Sequence, residues 1–283
     1  MLFVTKVKEM QSLSESLRKT KTIGFVPTMG FLHEGHLSLI RTSKRMAEVT
    51  VVSIFVNPIQ FGPQEDFERY PRDLERDKGI LEKEQVDILF YPSVDEMYPE
   101  GYKTYVRVLE MEDYLCGRTR KGHFQGVATV VTKLFNIVKP HFAFFGEKDY
   151  QQLKIIERMV KDLNMDVNII GCPVVRESDG LAMSSRNTYL SPEERQKAAN
   201  IYVALREVQR LFLDGEKKAE KLIEAAHKIL SSTSGLEIEY VEVVDTETLR
   251  KLSTVEDKAL VALAVWIGKT RLIDNVILRR DRV

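Results

Sequence analysis

The stretch Thr22-Ile23-Gly24-Phe25-Val26-Pro27-Thr28-Met29-Gly30-Phe31-Leu32-His33-Glu34-Gly35-His36 decides how this chain is read. Its first five residues are apolar and partly β-branched, as a short buried strand requires. Beyond Gly35, the residues Leu37, Leu39, Ile40 and Met46 recur at roughly helical spacing, so a helix begins near Gly35. Two glycines and two imidazoles therefore occupy a strand-to-helix turn. Main-chain amides at a helix N-terminus favour anions, and glycines let a ligand approach the backbone closely. An imidazole held there can donate to phosphate oxygens as charge builds on them. The same residues also fit a histidine pair on a surface turn, or half of a metal site.

Working outward, strands and helices alternate. Val49 to Val56 is an unbroken apolar run suited to a central parallel strand covered on both faces. A charged helix spans roughly Arg72 to Lys83, and an apolar strand runs from Val86 to Phe90. The 92–120 section, rich in proline, glycine and tyrosine, has no assignable period. Helical patterning returns from Gln125 to Val138, then a strand at His141 to Phe145, a helix from about Tyr150 to Leu163, and a strand at Val167 to Ile170. Such repetition implies a parallel sheet with right-handed crossovers. Ligands in these sheets bind beyond the C-terminal strand ends, which is where the Pro27 to His36 turn falls.

The pattern changes after about residue 176. Arg176 to Asn187 is a polar loop, and Ser191-Pro192-Glu193-Glu194 has the form of an N-cap, a first-turn proline and acidic first-turn residues. Two helices follow, to about Asp214 and from Glu216 to about Ser231. Strands are expected at Ile238 to Val244, Leu260 to Ile267 and Arg271 to Leu278, with Gly268-Lys269-Thr270 joining the last two. The fold class is therefore α/β: a Rossmann-like parallel-sheet domain over 1–176, with a smaller α+β domain over 177–283.

Composition narrows the functions. A chain of 283 residues can bury a full core and divide in two. Its 42 Lys and Arg balance 42 Asp and Glu, which gives no bulk attraction to nucleic acid or membrane. The first residues lack the apolar core of a signal peptide, and no apolar run reaches spanning length. Cys116 and Cys172 lie far apart without a CxxC, the usage of reduced core thiols in a cytoplasmic protein.

Four further segments put polar groups at strand ends: Asn57-Pro58-Ile59-Gln60-Phe61, Gly122-His123-Phe124-Gln125-Gly126-Val127, Gly146-Glu147-Lys148-Asp149-Tyr150-Gln151-Gln152, and Met183-Ser184-Ser185-Arg186-Asn187. Singly, each reads as a turn, a solvated helix end or a linker. Together they supply amides, a lysine, an arginine and two hydroxyls around one sheet edge, which suits a nucleotide and an acid substrate. The HxGH spacing of His33 to His36 resembles the signature of nucleotidylyl-transferring enzymes. PTMGFLHEGH, FVNPIQF, GEKDYQQL and DGLAMSSRNTYLS, in this order, resemble the pantoate–β-alanine ligase (pantothenate synthetase) family, and YVEVVD and KTRLIDN extend the resemblance over nearly the whole chain. Phe31, where a smaller residue is common, is the mildest departure.

The resemblance implies a nucleotidylyltransferase-type Rossmann domain, a small C-terminal lid, a homodimer, and dependence on ATP and Mg2+. It implies two steps: pantoate attacks the α-phosphorus of ATP to give pantoyl adenylate and pyrophosphate, and the β-alanine amine then displaces AMP. Carried onto this sequence, Met29, Gly30, Phe31, Leu32, His33, Glu34, Gly35 and His36 would bind ATP. His36 would be the proton donor, with His33 beside it on the phosphates. Gly146, Glu147, Lys148 and Asp149, then Met183, Ser184, Ser185 and Arg186, with Val175, would complete the nucleotide site. Gln60 and Gln152 match the pantoate-binding glutamines; Gln60 also faces β-alanine, and Asn57 belongs to the same amide pocket. Lys148 and Arg186 would supply charge in the reaction, which needs positioning more than covalent help. The magnesium ligands are unknown, with Asp66 and Asp73 as candidates. Two other readings stay open. One is a nucleotidylyltransferase acting on a nucleotide or phosphopantetheine; a tRNA synthetase would need an RNA surface that zero net charge does not supply. The other is a non-catalytic metal- or nucleotide-binding protein using His33 and His36, though His123 and His141 are distant in sequence.

Overall fold

The computed structural model describes residues 1–63 and 65–280; residues 281–283, the end of the 177–283 portion, lie outside them. In chain order the first part forms β1 (Leu2–Val4), α1 (Val7–Leu17), β2 (Ile23–Thr28), α2 (Glu34–Met46), β3 (Val49–Ile54), α3 (Leu74–Lys83) and β4 (Ile88–Phe90). After the short helices α4 (Val94–Met97) and α5 (Cys116–Thr119) come α6 (His123–Val138), β5 (Phe142–Gly146), α7 (Tyr150–Asp162) and β6 (Asn168–Cys172). The six strands form one parallel sheet in the order β1-β4-β3-β2-β5-β6. All six residues of β3 are buried, Thr50 and Ser53 included, as in a strand covered on both faces. From β2 the winding proceeds one way through β3 and the other way through β5. That reversal makes the C-terminal ends of β2 and β5 the ligand-binding edge of such a sheet.

The second part forms α8 (Pro192–Ala198), α9 (Asn200–Leu213), α10 (Ala219–Ser231), β7 (Leu236–Val244), β8 (Lys258–Ile267) and β9 (Thr270–Arg279). The strands make an antiparallel sheet, β7-β8-β9. Ile201, Leu205, Val208 and Phe212 of α9 and Leu222 and Leu230 of α10 pack in one buried cluster with Val241, Val243, Leu263 and Val265 of the sheet. Ile267 pairs with Thr270 across a two-residue turn in which Gly268 takes a φ of +56°.

Two compact units result, and the chain passes between them more than once. The first comprises Met1–Asp113, Gly117–Glu147 and Gln152–Pro173; the second takes Tyr114–Cys116, Lys148–Gln151 and the residues from Val174 onward. Each unit carries one cysteine, Cys172 in the first and Cys116 in the second, and both are buried. Burial pushes the Cys172 thiol above its ordinary pKa.

Several elements differ from the sequence pattern. The expected helix from Ser191 to Asp214 is two: at Ala199 the amide bonds Gln196, three residues back, and the Asn200 side chain turns to Thr233 Oγ1 at 3.1 Å. α10 starts at Ala219 rather than Glu216, because Glu216 Oε1 accepts the amides of Lys217 and Lys218 at 2.9 and 2.8 Å. β1 and α1 were not anticipated; three residues are too short to show a period, and β1 is defined by its pairing with β4.

Leaving β2, the chain turns through the left-handed region, with φ of +83° at Gly30 and +50° at Phe31. A Cβ at Gly30 would lie 2.9 Å from Ile54 Cγ2, so the position needs glycine for space as well as for conformation. The turn is braced by Asp77 of α3, which is 1% exposed. Its carboxylate accepts the Phe31 amide at 2.7 Å and the Leu32 amide at 2.9 Å. Arg76 bonds both Asp77 and the Leu32 carbonyl, and its guanidinium lies over the Phe31 ring at 4.8 Å. Burial raises the Asp77 pKa, against the two amides and Arg76 that favour its charged form. Asp77→Ala strands both amides and should cost roughly 2–4 kcal/mol of stability in denaturant unfolding, with Asp77→Asn costing less; a loss below about 0.5 kcal/mol contradicts the brace.

At the other end of β2, His141 Nδ1 accepts the Ile23 amide at 2.9 Å. Burial, and then Arg18, hold the His141 pKa below the ordinary value. Unfolding therefore takes up a proton, so this contribution is present above about pH 6.5 and is lost as pH falls. His141→Asn keeps an acceptor for Ile23 and should flatten the acid side of the Tm–pH curve. Identical slopes in the two proteins would count against it.

Candidate active site

In the first unit the histidine pair caps α2. His33 is the N-cap, and its Nδ1 accepts the Gly35 amide at 3.2 Å. The His36 Nδ1 reaches back to accept the His33 amide at 3.3 Å. Each Nδ1 thus faces an N–H and carries no proton of its own, which puts the hydrogen of both neutral rings on Nε2. The rings lie 4.1 Å apart between centroids. The motif therefore leaves an Nε2–H on each of two tilted rings at a helix N-terminus, a site suited to an oxyanion. Glu34 does not share in this; it pairs with Arg41 further along the helix. Leu32 points into the core.

The amide pocket lies in the same unit, after β3. The Gly126 carbonyl can only accept, so the end of Asn57 set against it at 3.1 Å is the NH2. Tyr98 donates to Asn57 Oδ1 at 2.8 Å, and the Asn57 NH2 also donates to Gln60 Oε1 at 3.0 Å. Gln60 is thereby turned with its own NH2 toward Met29, whose sulfur lies at 3.3 Å. Thioether sulfur is a weak acceptor that a ligand oxygen can displace. Asn57, with both amide hydrogens and its oxygen engaged inside the protein, orients Gln60. The turn holding Gln60 is wedged against Gly126, where a Cβ would lie 2.5 Å from the Ile59 carbonyl and 2.6 Å from Gln60 Cα. Gly146 ends β5, and Glu147 enters a 3-10 turn that continues to Asp149. Gln152 follows in the first turn of α7, half-buried. Its neighbour Gln151 is structural: it accepts the Cys116 amide at 3.0 Å and donates to the Tyr114 carbonyl at 2.7 Å.

The second unit holds its own polar cluster. Lys148 sits with Nζ 3.7 Å from Asp149 Oδ2, and its carbonyl accepts Asn275 Nδ2 at 2.9 Å. Asp274, beside Asn275 on β9, is buried and receives Arg176 through two bonds of 2.5 and 3.0 Å. Burial raises the Asp274 pKa and Arg176 opposes the shift. The Arg176 guanidinium also lies over the Tyr202 ring at 4.1 Å. Val175 and Met183, apart in sequence, meet where the Met183 amide donates to the Val175 carbonyl at 3.0 Å. Ser184 caps the 3-10 turn Ser185–Tyr189 by accepting the Arg186 amide, which orders the segment carrying Ser185 and Arg186.

Magnesium takes oxygen ligands and commonly keeps water and substrate phosphates around it. Among the described residues no group of three His, Cys, Asp or Glu is placed to hold a metal. Asp73 is engaged as the N-cap of α3, accepting the Arg76 amide at 3.1 Å. Sequence reasoning did not single out Asp77, Tyr98, Arg176 or Asn275. Each bonds a segment at least 41 residues away, and no local pattern marks it.

A family model described as pantoate-beta-alanine ligase matches residues 2–277. Proteins named pantothenate synthetase from Thermotoga petrophila and from Sulfurihydrogenibium sp. are 59% and 61% identical to this chain, covering 98% and 96% of it and 100% and 98% of themselves. The crystal structure of pantothenate synthetase from Thermus thermophilus superposes with a TM-score of 0.93 at 46% identity, over 98% of this chain and 99% of that one. The Francisella tularensis pantoate-beta-alanine ligase, complexed with beta-gamma ATP and β-alanine, gives 0.82 at 39% identity, over 98% and 97%. With the fold, the histidine-capped turn and matches of this length in agreement, the chain belongs to the pantoate–β-alanine ligase family.

Proposed function

We propose that this chain condenses pantoate with β-alanine in two ATP-dependent steps, through pantoyl adenylate, releasing pyrophosphate and then AMP. The observation that carries the reading is the histidine capping box, whose two Nε2–H groups form a donor pair for phosphate oxygens at a helix N-terminus. Family membership supplies the substrates.

In the first step the pantoate carboxylate attacks the α-phosphorus and the bond to the pyrophosphate oxygen breaks. His36 donates to that bridging oxygen as its charge grows, and His33 holds the adjoining phosphate oxygens. Lys148 meets the outer phosphates as a point charge, while Arg186 with Ser184 and Ser185 completes the grip. Met29, Gly30, Val175 and Met183 supply backbone and apolar contacts to the nucleotide. Gln60 and Gln152 hold pantoate. An amide donor orients the attacking carboxylate without a full positive charge that would quench it, and the network behind Gln60 turns its NH2 end toward Met29. In the second step the β-alanine amine, faced by Gln60, attacks the acyl carbon and AMP leaves. No protein nucleophile takes part. Magnesium belongs with the nucleotide's phosphates in this reading, and the smaller unit acts as the lid of a cytoplasmic homodimer.

Adenylation needs no amine. The protein should exchange labelled pyrophosphate into ATP with pantoate and magnesium alone, and should release AMP once β-alanine is added. A nucleotide-specific transferase ignores pantoate, a binding protein shows no exchange, and exchange that requires β-alanine means a concerted reaction. His36→Ala should slow exchange by roughly 10²–10⁴-fold in a protein that still folds. Lys148→Ala should weaken ATP use or slow adenylation at nearly unchanged Tm, since a helix-end ion pair contributes little to folding. Wild-type exchange in either variant removes that residue from the mechanism.

A further inference from the structure

The Gln60 carbonyl is held from the opposite side to its amide, by a chain of groups whose protons are fixed by their partners. Glu65 receives Arg120 through two bonds of 2.8 and 2.6 Å. The third guanidinium nitrogen of Arg120, Nη1, lies 2.9 Å from His123 Nε2. Arginine can only donate, so Nε2 accepts and carries no hydrogen. The ring is then the Nδ1–H tautomer, and Nδ1 lies 2.8 Å from the Gln60 main-chain oxygen, which can only accept. His123 is 9% exposed and opens α6, the helix whose Gly126 wedges the same turn.

We infer that His123 is a positioning residue for pantoate: through its Nδ1–H bond to the Gln60 carbonyl it sets where the Gln60 amide presents its donors, and Arg120 and Glu65 lock it in the tautomer that does so. This rests on the reading that Gln60 holds pantoate. Protonating His123 would place an Nε2–H and a positive charge against the Arg120 guanidinium at 2.9 Å. Arg120 is anchored by Glu65, so the imidazole is the group that gives way and the Gln60 turn loosens. Arg120 faces this ring with Glu65 behind it, and acid therefore weakens pantoate binding.

The test is pyrophosphate exchange at saturating ATP, with the KM for pantoate and kcat measured from about pH 8 to about pH 5.5, spanning the ordinary histidine range. His123→Ala should raise the pantoate KM roughly three- to tenfold at neutral pH, the effect of one hydrogen bond, with kcat and the ATP KM little changed. His123→Asn, whose amide N–H can stand where Nδ1–H stood, should restore most of the pantoate KM and lose its rise in acid. His123→Gln, whose amide lies further out, should not restore it. Gln60→Ala separates the two ideas. A pantoate KM unchanged in Gln60→Ala overturns the role of Gln60 and this inference with it. A KM raised in Gln60→Ala but unchanged in His123→Ala, or an acid rise that persists in His123→Asn, overturns the inference alone. Should His123→Ala fail to fold, the Asn and Gln pair still decides.

Discussion

The first amides of a helix have no acceptor within it, and how that shortage is met governs the whole turn after β2. In α2 the acceptors are imidazoles. Using Nδ1 of His33 and His36 for the cap consumes one nitrogen of each ring and leaves the hydrogen on the other. The next two amides upstream, of Phe31 and Leu32, are taken by the carboxylate of Asp77. The left-handed path at Gly30 and Phe31 is what points those amides at α3 rather than along the turn. One backbone requirement thus sets both the local conformation and the tautomers of the two imidazoles.

The same logic recurs at Gln60 with different groups. An acceptor-only carbonyl at Gly126 fixes Asn57, which fixes the Gln60 amide, while a donor-only guanidinium at Arg120 fixes His123, which holds the Gln60 backbone. Side chains that could each rotate through two states are reduced to one arrangement by partners that have no choice. In the smaller unit Asn275 does comparable service for the Lys148 carbonyl, and its neighbour Asp274 is fixed by Arg176. Preorganisation of this kind limits the reordering a site undergoes when charge develops.

What was legible in the sequence was what is local. The apolar run at β3, the capping residues Ser191, Pro192 and Glu194, and the glycine at the β8–β9 turn each announce themselves within a few positions. The histidine spacing and the glutamine at 60 were equally visible, because a motif at a strand end is contiguous. The hidden part is everything that acts at a distance. Asp77 reads as one more charge on a charged helix, and only the fold turns it toward residues 31 and 32. The 92–120 section carries no period because it is held by scattered side-chain bonds, such as that from Tyr98 to Asn57. Glu216 defeated the helix boundary in the same way, by spending its side chain on its own backbone neighbours.

The distribution of the two cysteines gives the molecule a built-in pair of reporters. Cys172 lies at the end of β6 at 4% exposure, and Cys116 lies at 7% in the other unit against Tyr240 and Arg271. An alkylating reagent reaches neither sulfur until the surrounding unit opens. The order in which the two thiols become labelled, read by peptide mass, therefore reports which unit opens first, without any engineered probe. In that sense, two buried thiols record the separate opening free energies of the two units.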